Sequence, residues 1–244
     1  MVRVRNWLAF STEPKIVIAQ YRELKRQVPL LYALLLLNAL AVTYTHWSFA
    51  PHWLSVGFSG LLIAVSGWRM LRWIYAGALG RADHTTAEQA KSQLRRTLVH
   101  AGILAVAFVS WSLMMDGYGG PLERGHVAFF IGVTVIGCIF CLAYLPQAAL
   151  IVTVAVTVPY LTYYLIKGEP VLIAMALNMV LVTAVLIRVL LNSFAGFLTL
   201  MKSQENLANK QLEAEQLGSE NARLAHTDML TGLPNRRHFF TKLE

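Results

Sequence analysis

The sequence predicts an all-α membrane protein. Six transmembrane helices are expected, with both termini cytoplasmic and the last helix continuing into a cytoplasmic coiled-coil helix. Three observations carry this. The 244 residues are 56% hydrophobic and 14% charged, where soluble chains carry about 25% charged residues. The few charges leave long uncharged gaps. Lys and Arg gather on one side of those gaps.

The gaps give the span count. Positions 27–68 hold 42 residues without Asp, Glu, Lys or Arg, and positions 125–166 hold 42 more. The gaps at 97–115 and 170–187 hold 19 and 18. A helix crosses the hydrocarbon core in about 20 residues. The gaps therefore read as two, one, two and one helices. Ser48-Phe49-Ala50-Pro51-His52 is the expected hinge of the first long gap, and Pro146-Gln147 that of the second. The spans fall near 29–49, 52–69, 97–115, 126–145, 148–166 and 170–191. No alternating pattern of barrel strands is present, so helices must satisfy the backbone within lipid.

Orientation comes from the cations. Of 21 Lys and Arg residues, all but Arg124 and Lys167 lie on one side if the N-terminus is inside. Cytoplasmic loops carry such an excess, which predicts in-facing termini. The net charge of +8 is thereby assigned to the membrane surface and its lipids, not to nucleic acid. Trp47, Trp53 and Trp111 are expected in an outer aromatic belt, Trp68 and Trp73 in an inner one.

Ahead of the first span, 1–28 lacks the compact apolar core of a cleavable signal peptide. Positions 12–27 read either as an amphipathic helix on the inner face or as a plain lead-in helix. The spans themselves occupy 29–191. Arg188, near the inner end of the last one, is expected to snorkel to the headgroups.

Beyond the spans, 192–225 is polar and helical. Leu200, Leu207 and Ala214 recur every seven residues, with Asn221 next in the series. A second stripe runs Ser203, Lys210, Leu217, Leu224. The apolar seam passes from one stripe to the other, and Lys210 and Asn221 weaken it. A solvated connector is one reading. A parallel dimer seam, weak enough to change register, is the other. The dimer is preferred because of the motif at its C-terminal end.

That motif is His226-Thr227-Asp228-Met229-Leu230-Thr231-Gly232-Leu233-Pro234-Asn235-Arg236-Arg237. The run resembles the opening of the GGDEF domain, the catalytic module of bacterial diguanylate cyclases. The matching positions are Asp228, Leu230, Thr231, Gly232, Leu233, Asn235, Arg236 and Arg237, with His238-Phe239-Phe240 also in keeping. Asp228 or Thr227 has helix-capping chemistry, and 231–235 has turn chemistry. Gly232 admits backbone angles closed to other residues. Asp228 and one Arg are expected to lock the turn by a charge-assisted hydrogen bond.

The resemblance implies that 226–244 is only the start of such a domain. The family's substrate and metal carboxylates and its namesake hairpin are not in the sequence, so no catalytic residue is expected here. The family's reaction joins two GTP molecules with Mg²⁺ across two facing domains, which implies a homodimer in a bacterial inner membrane. Residues 1–191 are similar in architecture to the membrane-associated (MASE-type) sensor regions of these cyclases. The expected role is a sensor relaying an unidentified small-molecule or lipid-like signal through a signalling helix. A phosphodiesterase domain further on stays open. So do a receptor with a degenerate output domain and a small transporter or channel with a regulatory tail.

Several side chains are sensing candidates. His46, His52, Asp116, Glu123 and His126 gather at the expected outer boundary, where imidazole and carboxylate bind protons or metal ions. Their spacing is no metal motif, and interfacial His is commonly a polar anchor. Cys138 and Cys141 lie one turn apart and read as packing residues. Asn38, Ser110, Thr134, Thr153, Thr157 and Asn178 either line a pocket or hydrogen-bond between helices. Pro159 is expected to kink the fifth span.

Overall fold

The computed structural model describes residues 13–78 and 86–226. Within them the elements are α1 (Pro14–Thr45), a π-turn (Trp53–Phe58), α2 (Ser59–Ala78), α3 (Ala87–Met115), α4 (Pro121–Cys141), α5 (Pro146–Lys167) and α6 (Pro170–His226). No strand occurs among the described residues. Six helical segments are long and apolar enough to cross a membrane. The matching positions 228–237 of the opening motif lie outside the described residues.

Local chemistry sets the boundaries. Pro14, Pro121, Pro146 and Pro170 each open a helix, where a missing N–H costs nothing and the ring fixes the helical φ. Thr86 caps α3 reciprocally with Gln89, satisfying two otherwise orphaned donors. Gly168 ends α5 at φ +73° with its N–H on the Tyr164 carbonyl, the left-handed stop that glycine takes without penalty. The expected hinges at 48–52 and 146–147 coincide with helix boundaries. Pro29 and Pro159 are tolerated inside α1 and α5, each depriving a carbonyl one turn back of its partner.

The first helix is longer than its span. α1 runs unbroken from Pro14, so the 14–27 stretch and the first span are one helix. Leu24, Val28, Leu31, Leu35, Ala39 and Val42 are buried along it, a helical stripe of three- and four-residue steps. α1 lies along α2 and also packs on α3 and α4, while α3 pairs with α5. The outward faces carry Leu30, Leu37, Leu61, Ile103, Val106 and Leu181, all exposed. That pattern suits a hydrocarbon solvent.

The π-turn is held by side chains. Ser59 Oγ donates to the Leu54 carbonyl at 3.0 Å and accepts from Trp111 Nε1 at 3.0 Å. Trp111 is fully buried, with edge-on contacts to Phe108 and Phe130. It is therefore not the outer-belt residue that its position suggested, because its indole N–H has a partner inside the bundle. Trp73 is also buried, against Tyr21. Trp47, Trp53 and Trp68 are exposed.

The chain divides into two compact units, residues 1–195 and 196–244. The first unit holds the bundle with the start of α6. The second holds the remainder of α6, whose residues from Gln211 onward are all exposed.

Ser59→Ala strands the buried Trp111 donor, while the Leu54 carbonyl keeps the backbone N–H of residue 59. The substitution should cost about 1–3 kcal/mol in denaturant unfolding of the protein in micelles. Trp111→Phe should remove most of that penalty when the two are combined, and strictly additive losses would refute the coupling.

Candidate functional site: a buried polar cluster at the helix ends

The end of α1, the end of α3, the start of α4 and the end of α5 place their polar side chains in one region. The anchor is Asp116, the C-terminal capping residue of α3 and fully buried. A carboxylate at a helix C-terminus faces the negative end of the macrodipole, so it needs strong compensation. Tyr164 donates to its Oδ1 at 2.8 Å and Tyr163 to its Oδ2 at 3.0 Å. Lys167 forms a salt bridge to Oδ2.

These partners share one face of α5. Tyr160, Tyr163, Tyr164 and Lys167 have the spacing i, i+3, i+4, i+7, so they stack up one side of the helix. Tyr164 packs edge-on against Tyr160 at 4.9 Å and against Tyr163 at 5.2 Å between ring centroids. The Lys167 ammonium also lies 5.0 Å from the Tyr163 centroid, a cation–π contact. Sequence reasoning named Asp116 and missed this stack. The tyrosine periodicity in α5 marks the shared face, but only the fold brings Asp116 to it.

The histidines form the second part. His46 is fully buried, and its Nδ1 lies 3.0 Å from the Val42 carbonyl. Thr45 Oγ1 lies 3.1 Å from His46 Nδ1 and 2.9 Å from His126 Nδ1. One hydroxyl thus ties α1 to α4 through two rings. His46 Nε2 is buried and has no hydrogen-bond partner. Asp116, Glu123 and His126 all lie close enough to act electrostatically on His46. Glu123 accepts the Gly120 N–H at 2.8 Å, closing the first turn of α4.

His46, His126 and Asp116 are therefore brought into one neighbourhood. His52 is not: it is exposed and sits edge-on to Trp47 at 6.5 Å. Beside the cluster, Arg124 pairs with Glu169 at 2.8 Å. Among the described residues, no group of three or more His, Cys, Asp or Glu side chains is arranged to hold a metal ion. What the cluster offers is a buried imidazole nitrogen without a partner in the protein, a group that takes up a proton or accepts from a small hydrogen-bond donor.

The remaining candidates are scattered. Asn38 donates to Thr134 at 3.4 Å between α1 and α4, and Thr153 bonds the Ala149 carbonyl of its own helix at 2.8 Å. Ser110 and Asn178 are exposed. Thr134 and Cys138 border a core cavity of about 40 Å³, little more than the volume of one water molecule. Cys138 and Cys141 are both free thiols. Leu200, Leu207, Ala214, Leu217 and Leu224 are all exposed on α6.

Comparison with family models, with curated proteins and with solved structures finds no match to the chain.

Asp116→Ala leaves Lys167 without its counter-ion and two tyrosines without an acceptor. The expected loss is about 3 kcal/mol, at the low end for a broken buried pair because 26% of the Lys167 side chain is exposed. Thermal unfolding in detergent measures it. Pairing the change with Lys167→Met should recover part of the loss, and no recovery would show that the ion pair is not the dominant tie.

Proposed function

We propose that the chain is the membrane sensor and dimerisation region of a cyclic-di-GMP signalling protein. The observation that carries this reading is the 226–237 run, which resembles the opening of a GGDEF domain and stands at the C-terminal end of α6. In this reading α6 is the signalling helix. It relays a change in the membrane bundle to a diguanylate cyclase domain, which joins two GTP molecules with Mg²⁺. The membrane is the bacterial inner membrane, with both termini cytoplasmic, as the Lys and Arg asymmetry favours.

Two further observations support it. The seam residues Leu200, Leu207, Leu217 and Leu224 are 57%, 58%, 60% and 42% exposed. Leucines at heptad spacing on a bare helix suit a parallel pairing with a second copy. A transporter, by contrast, needs ionisable groups along a path through the spans. Among the described residues, the one fully buried carboxylate is Asp116, and it sits at a helix end, neutralised by Lys167. The polar cluster around His46 is the place in the bundle where a proton or small donor would alter packing.

The lever is tested by changing its phase. The chain is fused through its opening motif to an active cyclase domain, and cyclic-di-GMP formed from GTP and Mg²⁺ is quantified. Inserting two residues after Leu207 turns the downstream seam roughly half-way round the helix, whereas seven residues restore it approximately. Output should change severalfold with two and return to within about twofold with seven. Equal output from all three lengths would discard the lever.

Dimerisation is tested separately. In a chain lacking Cys138 and Cys141, single cysteines at Leu207 or Leu217 should cross-link between copies under mild oxidation. A cysteine at an off-seam position such as Lys202 should cross-link far less. Monomers throughout would sink the paired seam.

A further inference from the structure

The bundle end opposite the polar cluster carries a cleft of about 910 Å³. That lies within the roughly 300–1,000 Å³ range of small-molecule sites. It exists because α2 packs along α1 and scarcely touches α3. Three helices line it. α1 contributes Tyr21 and Lys25, one turn apart. α2 contributes Trp68, Arg69, Arg72 and Trp73 among others, and α3 contributes Gln93, Arg96 and His100.

The electrostatics are one-sided. Lys25, Arg69, Arg72 and Arg96 all border the cleft, and no Asp or Glu among the described residues does. The nearest acidic neighbour on α1, Glu23, is paired with Arg26 at 3.5 Å. Arg69 is turned to Tyr32, whose hydroxyl accepts from its Nε and whose ring lies under the guanidinium at 5.6 Å. Lys25, Arg72 and Arg96 have no carboxylate partner among the described residues. Isolated cations at the inner ends of spans are ordinary. Four cations converging from three helices on one cleft is a different arrangement, since their mutual repulsion is relieved only by an anion.

The surroundings say which anion. Trp68 and Tyr75 are exposed at the same level, as aromatic rings are at headgroup depth. Further along each helix toward the bundle middle, α2 exposes Val65 and Leu61, and α3 exposes Ile103 and Val106. A soluble anion would use the charged end alone. A molecule with a phosphate head and aliphatic tails would use both.

We propose that this cleft is a binding site for an anionic phospholipid. Its phosphate is held by Lys25, Arg72 and Arg96, with Gln93 and His100 as additional polar contacts, and its acyl chains run along the flanks of α2 and α3. Guanidinium groups grip phosphate through two parallel N–H donors, so Arg72 and Arg96 carry the specificity. The lipid fills the wedge between α2 and α3 that the described residues leave open, and so becomes part of the bundle's packing.

The test uses the full chain in nanodiscs of mixed phosphatidylglycerol and phosphatidylcholine, with co-retained lipid quantified by native mass spectrometry. The chain should retain phosphatidylglycerol preferentially. Each cation near the surface contributes about fivefold, so Lys25→Gln/Arg72→Gln should lower the preference about 25-fold. Arg22→Gln/Lys91→Gln removes the same charge outside the cleft and should leave it within about twofold. If the cleft double variant fails to fold, Arg96→Gln alone should lower the preference about fivefold. Equal retention of both lipids, or equal loss in cleft and control variants, overturns the site. Displacement of phosphatidylglycerol by millimolar glycerol 3-phosphate would show a soluble-anion site and overturn the lipid assignment.

Discussion

Hydrocarbon offers no hydrogen-bond partner, and nearly every feature of this bundle stems from that lack. The spans are helices because only helices close their own backbone. Four prolines stand at helix starts, where no donor is lost. Hydroxyls inside the spans turn back onto their own helix: Thr97, Ser112, Thr153 and Thr183 each bond the carbonyl four residues earlier. Where the helix is irregular, at Trp53–Phe58, the Ser59 hydroxyl adds a bond to the Leu54 carbonyl and accepts the Trp111 indole N–H. Charge is confined to the ends for the same reason.

The two ends solve the problem differently. At one, charges are matched within the protein. Asp116 meets Lys167 and two tyrosines, and Arg124 meets Glu169. Such a set locks α3, α4 and α5 together, and leaves one imidazole nitrogen of His46 without a partner. At the other end, cations converge with no carboxylate among the described residues that line the cleft. A matched end neutralises its charge within the protein. In the proposed lipid site the membrane supplies the missing counter-charge.

Much of the fold was legible because membrane burial writes long, uninterrupted signals. The charge-free gaps counted the helices, and Pro51 and Pro146 marked their divisions. Trp111 was misplaced because an aromatic at a span end looks the same whether it faces lipid or a hydroxyl on the next helix. Asp116, His46 and His126 were recognisable as polar groups near one boundary, but Tyr163, Tyr164 and Lys167 were not. Their role depends on α5 ending level with α3, a tertiary fact that spacing within one helix cannot encode. The cleft was invisible for the same reason. Lys25, Arg72 and Arg96 looked like separate members of one charge asymmetry until three helices were set side by side.

α6 stands apart from this pattern. It is apolar enough to cross a membrane, yet only 22% of its most apolar stretch is buried, against 44% for α4. Its inward residues are few and small-stepped: Leu172, Ala176, Met179 and Thr183, then Leu190 and Phe194. Cohesion of the bundle therefore resides in α1 to α5. Heat and denaturant thus report on a different part of the molecule from the one that leads toward 226–237. If α6 is the proposed lever, a substitution on its exposed part leaves a melting curve unmoved and still alters the output, so a collection of variants sorted by stability would pass over it.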